Sequence, residues 1–217
     1  MKVEFRLKLD KALYIKDPEE TILGKEIVSK SIELIYELGF EKFTLKKLAN
    51  HINSNEPSIY RYFENKQQLL IYLLSWYWTW IEFNIDNNTR NIKDPRERIK
   101  IIIKIISNSL TYDAKFTHIN EEKLGLIAIR SYQGLFINKD KNIFSAFDSL
   151  CNKVSKVINE LDSNYKLPKT IAISLIKIIQ EQLFLKFNFP DMTELKDDND
   201  NQVLIAFSEK FIFSFLE

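Results

Sequence analysis

Cysteine is almost missing from this chain. Cys151 stands alone among 217 residues, which excludes an internal disulfide and suits a reducing compartment. Glycine and proline are scarce as well, at four and five, a pattern that suits an all-α chain with few sharp turns. There are two histidines, His51 and His118. They and one cysteine form no Cys/His cluster, and no P-loop or dinucleotide fingerprint occurs, so neither a metal nor a cofactor is expected. Spacing alone would let Cys151 pair with His118, yet nothing around either supports nucleophilic chemistry. Carboxylates are many, but no motif sets two of them across a cleft, so an enzyme is not expected. Charge of one sign is lacking too: the formal net charge is +1, which excludes a basic nucleic-acid coat. The most apolar run, Leu69–Ile81, falls short of the ~20 residues that cross a bilayer, and reads as a buried helix. No charged start leads into an apolar core and a cleavage site, so a cytoplasmic protein without a membrane span is expected.

What is present is concentrated in Ile27–Leu74. Ile27, Val28, Ser31, Ile32 and Ile35 recur at helical spacing and give a first helix one apolar face. Gly39 follows its last turn, where a left-handed cap costs a residue without Cβ little. Thr44 is an N-cap for Leu45–Ile52, whose inner face is Leu45, Leu48, Ala49 and Ile52 and whose outer face carries Lys46 and Lys47. Asn53-Ser54-Asn55 makes a turn, Asn55 caps the next helix, and Pro57 fits its first turn. Ile59 and Phe63, four apart, anchor that helix inward and leave Ser58, Arg61 and Tyr62 on or near its outer face. Two short helices joined by a tight turn are the means by which a protein sets a helix into the DNA major groove.

This segment resembles the DNA-binding module of the tetracycline-repressor (TetR) family of bacterial regulators. The likeness rests on Gly39-Phe40, Phe43-Thr44, Leu48-Ala49, Ile59-Tyr60, Tyr62-Phe63, Lys66 and Leu69-Leu70. The resemblance implies a one-component regulator, most simply a repressor, that binds a palindromic operator in double-stranded DNA as a homodimer. It implies base and phosphate contacts from Ser58, Tyr60, Arg61 and Tyr62, with Asn55 at the start of the reading helix. It implies phosphate grips by Thr44, Lys46 and Lys66. Three departures stand out. The turn is Asn53-Ser54-Asn55 where the family has Gly-Val-Ser, Ser54 replaces the apolar residue tucked beneath it, and the reading helix opens with Glu56-Pro57. A carboxylate near phosphates disfavours DNA, although Glu56 complements a helix N-terminus. From Phe40 to Lys66, five cations (Lys42, Lys46, Lys47, Arg61, Lys66) face three carboxylates (Glu41, Glu56, Glu64), a small surplus. These features leave another class open: a helical dimer or scaffold whose DNA module has degenerated.

Residues 1–17 read as an arm. Val3, Phe5, Leu7 and Leu9 alternate with charged residues, a strand period, and a hairpin with Leu13–Ile15 would suit it. The arm is either a flap against the protein or a minor-groove arm using Lys2, Arg6, Lys8 and Lys11. Asp17-Pro18 opens a helix either directly or as a turn before a start near Ile22. Residues 18–68 then form a three-helix DNA-binding bundle with a helix-turn-helix. Residues 69–217 form a helical ligand-binding and dimerisation domain.

Beyond the motif the cap signals predict helices over about Asn65–Asn84, Asp94–Leu110, Asn120–Phe136, Asn142–Leu161, Pro168–Asn188 and Gln202–Phe215, about nine helices in all. Lys196–Asn201 reads as a solvated charged loop. The last two helices are apolar over more than one ~100° face, and a wider apolar sector needs a second surface. By family resemblance that surface is a second copy, meeting it through Ile171, Leu175, Ile178, Ile179, Phe207 and Phe211. Aromatics crowd the fourth helix and the helices expected around it. Trp76, Trp80, Tyr112, Phe116, Tyr132 and Phe136 would border a cavity for a small apolar or aromatic effector.

Overall fold

The computed structural model describes residues 7, 9–110, 119–135 and 145–216. Among them are nine α-helices: α1 (Ile22–Leu38), α2 (Leu45–His51), α3 (Glu56–Tyr60), α4 (Lys66–Thr89), α5 (Pro95–Ser107), α6 (Glu121–Leu135), α7 (Ser145–Leu161), α8 (Pro168–Asn188) and α9 (Gln202–Leu216). The starts follow local chemistry. Side-chain oxygens of Thr21, Thr44, Asn55 and Asp94 accept the first free N–H groups of α1, α2, α3 and α5, the groups a helix leaves without internal partners. None of these helices is long and apolar enough to cross a membrane.

The described residues fall into two compact units. One lies within Met1–Tyr77 and Leu110–Ile143, the other within Trp78–Ser109 and Phe144–Glu217. In the first, α1 turns Ile27, Val28, Ser31, Ile32 and Ile35 inward, all essentially without solvent contact. It packs on α2 and on α6. Gly125 of α6 is a point of close approach, since a Cβ there would lie 2.4 Å from the Leu110 side chain and 3.1 Å from the Tyr77 ring. Gly39 ends α1 at φ 77° and ψ 153°, its N–H bonded to the Ile35 carbonyl at 2.9 Å; the stop falls where expected, in a positive-φ conformation open to glycine but not the left-handed helical one.

The expected hairpin falls mostly outside the described residues, which begin before α1 with a short turn. Lys11–Leu13 is one 3-10 turn capped by Asp10, and the Ile15 N–H donates to the Tyr62 carbonyl at 2.8 Å. Val3 and Phe5 lie outside the described residues. Of the two starts open for the first helix, the separate turn is found: Pro18–Glu20 is a 3-10 turn capped by Asp17, and α1 begins at Ile22. α4 continues past Asn84 to Thr89, and along this end Asn84, Asn88 and Thr89 donate side-chain hydrogen bonds to carbonyls four residues back.

In the second unit α7 packs on α8, and both pack on α5. The core includes Ile102, Ile106, Leu150, Cys151, Val154, Ile158, Leu175, Ile179, Leu204 and Ile212. Lys153 of α7 bridges Glu82 at 3.0 Å and also pairs with Asp86, which ties α7 to the last turns of α4. Burial pushes the Cys151 thiol up to about 12. Lys177 is drawn down to about 8, chiefly by burial, with its ammonium over the Phe147 ring and bonded to Gln180.

Two expectations change here. Ile171, Leu175 and Ile179 are packed inside the subunit, because α5, α7 and α9 already cover that face of α8. They are not available to a second copy. Ile178 and Phe211 are half-buried, and the exposed apolar residues of α8 and α9 are Phe187, Val203, Phe207 and Phe215. The charged run after α8 is also more ordered than a solvated loop. Leu195 is buried, Asp198 caps α9 by accepting from Val203 and Leu204, and Asn201, at φ 54°, donates to the Ser107 carbonyl at 2.8 Å.

Candidate nucleic-acid interface

The helix-turn-helix is built from a few local devices. Thr44 Oγ1 accepts the Lys47 N–H at 3.1 Å and opens α2. Asn53 adopts φ 50° and turns the chain, as Asn tolerates, and the Ser54 N–H closes back on the Ala49 carbonyl at 2.9 Å. Ile52 is buried, supplying apolar contact next to the half-buried Ser54. Asn55 Oδ1 accepts both the Ser58 N–H at 3.0 Å and the Ser58 hydroxyl at 2.8 Å. The reading helix α3 is then fixed from within by Ile59 and from its far end by Phe63, both fully buried.

Five of the sequence-predicted DNA residues lie together on the outside of this motif: Thr44, Lys46, Asn55, Tyr60 and Arg61 are exposed, and Ser58 is half-buried. Tyr60 is 45% exposed. Asn55 and Ser58 spend part of their capacity on each other, so Ser58 offers an acceptor more readily than a donor.

Two of the predicted contacts point elsewhere. Tyr62 is 3% exposed, with its hydroxyl 2.7 Å from Thr21 Oγ1 and its ring under the Lys16 ammonium at 5.4 Å. α3 ends at Tyr60, not Phe63, and the turn that follows swings Tyr62 inward. Lys66 Nζ lies 3.1, 3.3 and 3.2 Å from the carbonyls of Phe40, Glu41 and Phe43 and 4.7 Å from the Phe40 ring centre. An ammonium has three N–H donors, and these carbonyls take all three. Lys66 therefore holds the α1–α2 connection instead of gripping phosphate with its side chain. Nothing in the sequence announced the pairing of Thr21 with Tyr62.

The predicted effector pocket falls largely outside the described residues. Tyr112, Phe116 and Phe136 lie there, and Tyr132 is described as helical backbone only. Trp76 is buried and Trp80 half-buried. Among the described residues, a shallow groove of about 450 Å³ runs along α5 and α9, lined by Arg96, Ala206, Glu209, Lys210, Phe213 and Ser214, none of them in the predicted set. No group of three or more His, Cys, Asp or Glu residues that could hold a metal occurs among the described residues.

The geometry agrees with comparisons to known proteins. Residues 27–73 match the model for bacterial regulatory proteins of the tetR family. No curated protein matches the chain. Among solved structures, a TetR transcriptional regulator from Legionella pneumophila is similar at TM-score 0.64 and 19% identity, over 88% of this chain and 97% of that one. The fatty acid degradation regulator FadR from Bacillus halodurans reaches TM-score 0.65 at 16% identity, over 85% and 91%. AibR in complex with isovaleryl coenzyme A and operator DNA reaches 0.61 at 15% identity, over 83% and 95%. The first two of these are described as regulators. Residues 27–73 thus carry the module that marks bacterial regulatory proteins of the tetR family, and most of the chain shares the fold of these solved structures.

Proposed function

We propose that the chain is a ligand-responsive transcriptional repressor that binds a palindromic operator as a homodimer in the cytoplasm, and that it is not an enzyme. The observation that carries this reading is the outward cluster Thr44, Lys46, Asn55, Tyr60 and Arg61 on a rigidly capped helix-turn-helix. Arg61 supplies a fork suited to a guanine edge, and Tyr60 an aromatic face with a hydroxyl. Lys46 and the Thr44 hydroxyl are placed for phosphates beside the groove. In functional terms residues 18–68 read DNA, and residues 69–217 bind the effector and pair with a second copy.

The partner surface in this reading is the exposed apolar side of the last two helices, Phe187, Val203, Phe207 and Phe215, with Ile178 and Phe211 at its border. A two-fold dimer would present two reading helices to two half-sites of an inverted repeat. The effector is a small apolar or aromatic molecule near Trp76 and Trp80. It would act by binding unequally to two arrangements of the dimer, one of which fits DNA. The resemblance to AibR, whose structure holds isovaleryl coenzyme A and operator DNA, supports a switch of this kind. Selection of bound fragments from random duplex DNA tests the proposal, because it asks for binding and half-site symmetry together.

A further inference from the structure

Resting on the DNA-binding reading, we propose that Tyr62 is a positioning residue for the reading helix, and that its partner in this role is Thr21. A helix of five residues has little stability of its own, so its direction is set by what holds its ends. At the far end of α3, Tyr62 is attached twice to one short segment. Its carbonyl accepts the Ile15 N–H at 2.8 Å, and its hydroxyl shares a 2.7 Å hydrogen bond with Thr21 Oγ1.

That segment is itself fixed. Thr21 Oγ1 also accepts the Gly24 N–H at 2.9 Å as the N-cap of α1. Pro18 lies against Gly24 so closely that a Cβ there would come within 2.3 Å of the Pro18 carbonyl oxygen. The Tyr72 hydroxyl of α4 donates to Glu19 at 3.4 Å, and the Tyr14 ring meets Tyr72 edge-on at 6.1 Å. The start of α1 and the first turns of α4 thus hold one strap, and the strap holds the end of α3 through Tyr62. Two residues away in the chain are the exposed Tyr60 and, next to it, Arg61. Loss of the hydroxyl pair frees the angle at which these two reach the groove while leaving the buried ring in place.

The test is Tyr62→Phe in the full-length protein, with a duplex selected by the parent. Affinity should fall about five-fold, the size of one neutral hydrogen bond, with the salt dependence unchanged because no phosphate contact is lost. On a Thr21→Val background Tyr62→Phe should cost nothing further, and Thr21→Ser, which keeps the hydroxyl, should bind like the parent. A second readout needs no DNA: amide exchange at Ile15, Tyr62 and Phe63 should quicken about five-fold, with Ile32 and Ile35 unaffected. Parent-like affinity in Tyr62→Phe, losses that add across the pair, or a salt slope reduced by about one contact would overturn the proposal. If Tyr62→Phe fails to fold, Thr21→Val against Thr21→Ser removes and restores the same bond from the other side. A parent that selects no duplex would sink the DNA-binding reading alone, and amide exchange would still decide whether the hydroxyl pair orders α3.

Discussion

The Lys66 ammonium lies 3.2 Å from the Phe43 carbonyl, one residue before the Thr44 N-cap of α2. A cation at the start of α4 thereby fixes where the earlier helix α2 begins, across more than twenty residues of chain. The same ammonium bonds the carbonyls of Phe40 and Glu41, so Lys66 is spent on folding the motif.

Lys66→Met should therefore act on stability first. It removes three charge-assisted bonds and leaves half-buried carbonyls without donors, a loss of roughly 1–3 kcal/mol. Denaturant unfolding should show it without DNA present. A variant as stable as the parent, with a salt slope of DNA binding lower by about one contact, would return Lys66 to the phosphate backbone.

Gly24→Ala and Gly39→Ala should both destabilise, for different reasons. The first drives a methyl into the Pro18 backbone, whose carbonyl oxygen lies 2.3 Å from the Cβ position, and should cost about 1–3 kcal/mol through overpacking. The second meets nothing within 4 Å but sits at φ +77° and ψ 153°, so its cost is backbone strain alone, about 1–3 kcal/mol. Thermal unfolding measures both, and a Gly24→Ala as stable as the parent would contradict the close packing of the turn on α1.

Lys177 gives a pH test. Its folded-state value is drawn from 10.5 down to about 8, chiefly by burial. For a base lowered in this way, the unfolded chain holds the extra proton between about 8 and 10.5. Stability should rise with pH across that window, and the penalty is fully present below it. Cys151, raised to about 12 by burial, acts in the opposite sense above about 9, so the comparison must be made against Lys177→Met, which retains that thiol. Between about pH 7 and about pH 10 the parent should gain stability relative to the variant. Parallel curves would mean that Lys177 is solvated.

The helices were legible because their signals are local. Asp94-Pro95, Thr44 and Asn55 announce starts by their own chemistry, Gly39 announces a stop, and the apolar spacing of Ile27, Ile32 and Ile35 marks a face. The outward residues Lys46 and Arg61 followed from the same periodicity, and Tyr60 from the family resemblance. Tyr62 and Lys66 were misread because their partners, Thr21 and the carbonyls of Phe40, Glu41 and Phe43, are distant in sequence and send no periodic signal. Ile171, Leu175 and Ile179 were misread for a different reason. An apolar stripe states that something covers it, not whether the cover is α5, α7 and α9 or another molecule.

Assembly can be tested apart from DNA. With Phe187, Val203, Phe207 and Phe215 exposed, the protein should sediment as a dimer at micromolar concentration. Phe207→Glu should give a folded monomer, since that side chain is half-exposed in the subunit. A dimer that persists in Phe207→Glu would move the interface off this face.

The most direct measurement of the central claim is selection from random duplex DNA by the parent and by Arg61→Ala. The parent should enrich an inverted repeat and bind it with steep salt dependence. Arg61→Ala should bind that repeat more weakly by roughly 1–3 kcal/mol, with its helix content intact. No enriched sequence from the parent, or an Arg61→Ala variant that binds the repeat as tightly as the parent, would contradict the assignment of α3 as the reading helix.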